Sequence, residues 1–167
     1  MFTAIDSVPL TAIAFFMLTG ELMTSATITD RLVALSRALI GRIRGGLAQV
    51  NVLVSMFFAG MNGSVVADTA TVGALVLPAM KKAGYPAAFS AAVTGVSSTI
   101  GGIIPPSIMM IVLANATEIS IAALFAAGII PGILIGVVIM AINHYFAVKH
   151  NFERSDESFS IRRAGKE

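Results

Sequence analysis

The chain reads as an all-α membrane protein in which transmembrane helices are combined with a re-entrant helical hairpin and a discontinuous helix. Three observations predict this. Its 167 residues are 56% hydrophobic and only 12% charged, with a mean hydropathy of +0.88, whereas a soluble domain carries about 25% charged residues. Two of its apolar blocks are too long for one straight helix and are interrupted by glycine, proline and hydroxyl residues. The basic residues gather at the edges of the apolar blocks, which points to membrane topology and not to nucleic acid.

The first block, 8–23, is a candidate transmembrane helix, since about 20 apolar residues span the hydrocarbon core. It has no basic n-region and Asp6 lies close to its start, so it does not read as a cleavable signal peptide. Residues 24–46 are amphipathic. Leu32, Leu35, Leu39 and Ile43 fall on one helical face while Arg31, Arg37, Arg42 and Arg44 take the rest. Thr29 is the expected N-cap and Gly45-Gly46 the expected stop. A helix of this kind is expected in the interface plane with its basic face toward the headgroups; a solvated juxtamembrane linker is the alternative.

The block 47–80, about 34 residues, is too long for one crossing and short for two complete ones. Arg42 and Arg44 precede it and Lys81-Lys82 follow it, so both ends belong on the cytoplasmic side. A segment that enters and leaves on one side reverses inside the membrane. Two arms of roughly 14 to 16 residues reach about 20 to 24 Å, past the midplane without emerging. The reversal is expected at Gly60, Met61, Asn62, Gly63 and Ser64, where two glycines and an asparagine suit unusual backbone angles. Asp68 follows one turn later. An intramembrane carboxylate is a functional candidate, weighed here against a structural role as a helix N-terminal charge.

The block 86–114 would be about 43 Å as one helix, but its centre holds Ser97, Ser98, Thr99, Gly101, Gly102, Pro105, Pro106 and Ser107. The two prolines remove amide donors and push the preceding residues out of the helical region. Carbonyls around 99–104 are therefore expected to lose their partners. Unwound backbone at membrane depth is tolerated only where it is buried in protein or lines a cavity. Freed carbonyls and hydroxyls suit a desolvated alkali cation, and helix N-termini beyond the break suit an anion; together they read as a transporter binding site. The alternative for Ser97, Ser98 and Thr99 is helix packing, with each hydroxyl bonding back to a preceding carbonyl.

The block 119–148 is the last candidate crossing. It ends in a polar tail, 149–167, with Lys149, Arg154, Arg162, Arg163 and Lys166, expected to be cytoplasmic and disordered. The loop 115–120 with Glu118 and the N-terminus with Asp6 are then external. Glu21 is expected to anchor the first helix at the interface by pairing with an arginine. The glycosylation sequons at Asn62 and Asn115 read as chance matches, and His144 and His150 stand apart without metal spacing. With no cysteine, disulfides, thiolate metal sites and a cysteine nucleophile are excluded for this chain.

GELM from Gly20, GGLAQVNVLVSMFFAGMNGSVVADTATVGALVLPAMKKAGY from Gly45 and SSTIGGIIPPSIMMIV from Ser97 resemble the large membrane subunit of the tripartite ATP-independent periplasmic (TRAP) transporters over nearly the whole chain. Two positions depart from the family pattern: Asn62 replaces a hydroxyl residue and Gly102 stands where many members have proline. The resemblance implies half of an inverted-repeat elevator transporter in a bacterial inner membrane. It further implies a sodium-coupled importer of organic acids such as C4-dicarboxylates or sialic acid, with no enzymatic activity. Its partners would be a small membrane subunit, a periplasmic substrate-binding protein and the second half of the permease, which this chain lacks. Na+ would be the coupling ion and the only cofactor. The candidate ion and substrate residues are Gly60, Asn62, Gly63, Ser64, Asp68, Ser97, Ser98, Thr99, Gly101, Gly102, Pro105, Pro106 and Ser107, with Na+ at Asn62, Ser64, Thr99 and Gly102. The chain reads as a partial or split subunit, and a non-transporting assembly fragment is the runner-up. An intramembrane hydrolase is the rival from another class: Ser64, Ser97 and Ser98 have only the distant His144 for a base, and Asp68 has no second aspartate.

Overall fold

The computed structural model describes residues 8–25, 28–41, 43–150 and 152. Expectations for Asp6, Arg42 and the tail beyond 152 lie outside these residues, as does the side chain of Glu21. Among the described residues every regular element is helical: α1 Val8–Ser25, α2 Ile28–Ile40, α3 Gly46–Asn62, α4 Val65–Lys82, α5 Ala87–Ser98, a short 3-10 turn Thr99–Gly102, α6 Ile108–Thr117 and α7 Ile121–Lys149.

The chain reverses between α3 and α4 in two residues. Gly63 ends α3 in the left-handed region (φ 59°) and its N–H returns to the Ala59 carbonyl, the usual way a helix closes on glycine. Ser64 is extended, and its hydroxyl accepts from the Ala67 N–H to cap α4. At the open end, Asn51 of α3 lies 3.6 Å from the Met80 sulfur of α4. The two helices therefore run antiparallel along their length, 17 and 18 residues each. Pro78 sits inside α4 close to its end.

Helix α5 packs against both arms of the hairpin and runs into the 3-10 turn. Regular helix resumes only at Ile108, where the Ser107 hydroxyl accepts from the Met110 N–H. Glu118, in the left-handed region (φ 56°), ends α6, and Ser120 caps the 29-residue α7. The core lies among α3, α4, α5 and α7 and is built from Val50, Val52, Val54, Phe58, Val72, Val76, Met80 and Ile100, each at most 1% exposed. In lipid such side chains gain little from leaving the solvent, so close packing decides which helices meet. Small residues on α7 supply that: Gly128, Gly132 and Gly136 share one buried stripe. A Cβ there would collide with Ile103 and Met110, with Ile104, and with Met56, respectively.

One end of the bundle is tied by rings. Tyr85, between α4 and α5, lies 4.8 Å from Phe152 and Phe89 lies 5.3 Å from it, while His150 stacks between Phe146 and Phe152. Burial pushes the Tyr85 hydroxyl pKa up against an opposing backbone bond from Leu47.

Helix α2 corrects two local expectations. Its first residue is Ile28, so Thr29 lies inside the first turn instead of capping it, and α2 ends before Gly41, leaving Gly45 and Gly46 to begin α3. Thr29 and Ser36, seven residues apart, are its buried side chains, whereas Leu35, Leu39 and Ile43 beyond it are exposed. Leu32, at the start of the same stripe, is partly buried against the core.

Candidate functional site

The hairpin turn and the helix break meet. The Ile108 N–H donates to the Gly63 carbonyl at 3.2 Å, and a Cβ on Gly63 would overlap the Pro106 carbonyl and press on Ser107. A Cβ on Gly101 would lie 3.6 Å from the Ser64 backbone, one on Gly102 3.3 Å from the Val65 side chain, and one on Gly60 3.9 Å from the Pro105 carbonyl. The N-termini of α4 and α6 consequently open beside one another, each capped by a serine.

The polar side chains at the turn act locally. Asn62 Oδ1 accepts the Ser64 N–H at 3.1 Å, and its side chain packs toward Gly20 of α1. One further expectation is corrected. Carbonyls of the break are not left free throughout: the Ile100 carbonyl accepts from both Ile103 and Ile104, and Gly102 accepts the Ser107 hydroxyl at 2.8 Å. The 3-10 turn satisfies part of what the prolines release. Thr99 is exposed, and its hydroxyl donates to the Val96 carbonyl at 2.7 Å.

Asp68 is the most constrained of the group. It is fully buried, and neither carboxyl oxygen has a hydrogen-bond partner. Its polar neighbours are Ser98 of α5 and Ser55 of α3, yet the Ser98 proton goes to the Thr94 carbonyl at 2.8 Å. Behind them runs a polar ladder. Ser55 and Ser97 hydroxyls are 3.2 Å apart; Ser97 donates to the Thr94 carbonyl at 3.1 Å and to Asn51 Oδ1 at 3.4 Å; the Asn51 amide donates to the Thr94 hydroxyl at 2.7 Å. Asn51, Ser55, Ser97 and Ser98 are fully buried and Thr94 nearly so.

Asn51, Ser55 and Thr94 were not singled out by sequence. The signal that would have found them is helical spacing: Asn51 and Ser55 are four apart on α3, and Ser90, Thr94, Ser97 and Ser98 follow the same period on α5. Hard monovalent cations take oxygen ligands, and a buried charge persists only when paired or ligated. An orphaned carboxylate flanked by hydroxyl oxygens fits Na+. The basic residues of α4, Lys81 and Lys82, are about 20 Å along the helix from Asp68.

An all-helical bundle that encloses an ionisable group beside paired helix N-termini has the architecture of a membrane permease. The chain belongs to the DctM component family of the tripartite ATP-independent periplasmic transporters, whose family model matches residues 1–166. It is 41% identical over 155 residues to a sialic acid TRAP transporter permease of Haemophilus influenzae, covering 93% of this chain and 25% of that protein. It is 42% identical over 147 residues to the C4-dicarboxylate TRAP transporter large permease of Pseudomonas aeruginosa, covering 88% and 34%. With the 2,3-diketo-L-gulonate TRAP transporter large permease of Escherichia coli it shares 40% over 153 residues, covering 92% and 36%. The chain thus spans a quarter to about a third of the length of these relatives. They are named as permeases, transport proteins and not enzymes, which removes the hydrolase alternative.

Proposed function

We propose that this chain forms part of the large permease subunit of a sodium-coupled importer of organic acids, embedded in a bacterial inner membrane. It works with the rest of the permease, a small membrane subunit and a periplasmic binding protein that delivers the substrate. Helices α3 and α4 are a re-entrant hairpin, and α5 with α6 is a transmembrane helix broken at midplane. Arms of 17 and 18 residues reach about 26 Å, short of a ~30 Å core. Helix α7 is long and apolar enough to cross it.

The observation that carries the proposal is the buried Asp68 carboxylate with both oxygens unpartnered. A carboxylate enclosed in this way needs a positive charge, since an uncompensated ion in a low-dielectric interior costs several kcal/mol. One carboxylate matches one Na+, with Ser55 and Ser98 supplying neutral oxygens and the turn at Asn62, Gly63 and Ser64 closing over it. The substrate's acid group faces the adjacent N-termini of α4 and α6, where amide donors and helix dipoles favour an anion. The three relatives described above are named for sialic acid, C4-dicarboxylate and 2,3-diketo-L-gulonate transport; all three substrates are carboxylates.

The test is uptake. The whole permease that carries this chain, reconstituted in liposomes with its small subunit and binding protein, should accumulate a labelled organic acid only under an inward Na+ gradient. Asp68→Asn should abolish that dependence. Equal uptake without Na+, or unaltered sodium dependence in Asp68→Asn, would overturn the proposal.

A further inference from the structure

A buried asparagine ties together the three helices around Asp68. Asn51 of α3 is fully buried, and its amide nitrogen lies 2.7 Å from the Thr94 hydroxyl of α5 and 3.6 Å from the Met80 sulfur of α4. Its partners on α5 do not need it for hydrogen bonding. The Thr94 hydroxyl has the Ser90 carbonyl at 3.0 Å. The Ser97 hydroxyl, 3.4 Å from Asn51 Oδ1, has the Thr94 carbonyl at 3.1 Å. An apolar residue at position 51 would therefore orphan neither of them. What a lone polar side chain in an apolar seam does supply is register: it fixes how two helices align, at a cost in stability.

The Asn51–Thr94 contact stands one helical turn from the hydroxyls at the carboxylate. Ser55 follows Asn51 by four residues on α3, and Ser98 follows Thr94 by four on α5; these two serines are the polar neighbours of Asp68. The next contact along the same pair of helices, Ser55 with Ser97 at 3.2 Å, shows that α3 and α5 run parallel here. We infer that Asn51 is a positioning residue: by locking α3 to α5 in one register, it holds Ser55 and Ser98 together at Asp68. Apolar contacts between the helices are non-directional. A slip of one residue, about 1.5 Å along and about 100° around a helix, breaks the Asn51–Thr94 bond and turns Ser98 away from the carboxylate. The inference rests on the sodium reading proposed above and places Asn51 behind the ligands instead of among them. Without the lock, only a fraction of the molecules presents both hydroxyls, and the apparent affinity for Na+ falls by that fraction.

Sodium binding to the purified whole permease is followed by the Na+-induced rise in melting temperature, a readout independent of transport. Asn51→Leu keeps the branched outline of the side chain. It should raise the half-saturating Na+ concentration about three- to tenfold, the range of one interhelical hydrogen bond in a membrane protein, while the sodium-free melting temperature is retained. Thr94→Val removes the same contact from α5 and should give the same rise, and it serves alone if Asn51→Leu does not fold. The double variant should bind no more weakly than either single variant, because both remove one bond. Gln49→Leu is the control: Gln49 is a second buried amide of α3, but its nitrogen donates to the Met140 carbonyl of α7 at 2.8 Å, so its Na+ titration should match the wild type. Three results overturn the positioning role alone: a wild-type Na+ midpoint in Asn51→Leu and Thr94→Val, as a purely structural role requires; an additive double variant; or an equal rise in Gln49→Leu. Absence of any Na+-induced shift in the wild-type permease overturns the sodium reading itself.

Discussion

Gly63 joins the two halves of the candidate site. Its φ of 59° closes α3, and the space where a side chain would stand is occupied by the Pro106 carbonyl. A non-glycine residue in the left-handed region costs about 1 to 2 kcal/mol, and the overlap adds to it. Gly63→Ala should therefore lower the melting temperature of the detergent-purified permease by several degrees; an unchanged melting curve would mean that the turn and the break do not touch. Gly63 and Asp68 were legible in sequence because glycine and a lone carboxylate are conspicuous in an apolar block. Asn51 and Ser55 were not, since their partners on α5 lie 43 and 42 positions away and only the packed helices bring them together. Thr99 differs from Ser98 in exposure, not in bonding: each hydroxyl donates to a carbonyl of its preceding turn, but Thr99 is exposed whereas Ser98 is fully buried.

At the scale of elements, α7 is the wall on which the hairpin and the break rest. Its buried glycines admit Ile104 and Met56 where larger residues would hold the helices apart. Overpacking a tight contact costs about 1 to 3 kcal/mol. Gly136→Val should destabilise the purified protein by that order in a thermal melt, while Val137→Leu, at an adjacent position that is 55% exposed, should leave it unchanged. Equal behaviour of the two variants would remove α7 from the packing scheme. The apolar periods of the long blocks were legible in sequence, and so were the sites where glycine and proline interrupt them. The orientation of α2 was not. Thr29 and Ser36 are buried although neither hydroxyl gains a hydrogen bond there, and Leu32, Val33 and Ile40 pack against the core.

For the whole molecule, the ends of the helices sort by charge. The start of α3 meets the end of α7, where Gly45 touches Ala147, and the Tyr85–Phe152 contact brings the α4–α5 turn to the same place. Arg44, Lys81, Lys82 and Lys149 thus gather at one end, and Glu118 marks the other end of a helix of 29 residues, about 43 Å long. This distribution fits the positive-inside tendency with both ends of the hairpin cytoplasmic. Under the proposed topology Asp68, near the closed end of the hairpin, would lie within the bilayer. The most direct test is sidedness. In a whole permease otherwise free of cysteine, Arg44→Cys and Lys81→Cys should react with a membrane-impermeant thiol reagent from the cytoplasmic side only, and Glu118→Cys from the opposite side only. Labelling of positions 44 and 81 from opposite sides would show that the segment crosses the membrane, contradicting the re-entrant hairpin and the enclosed ion site built on it.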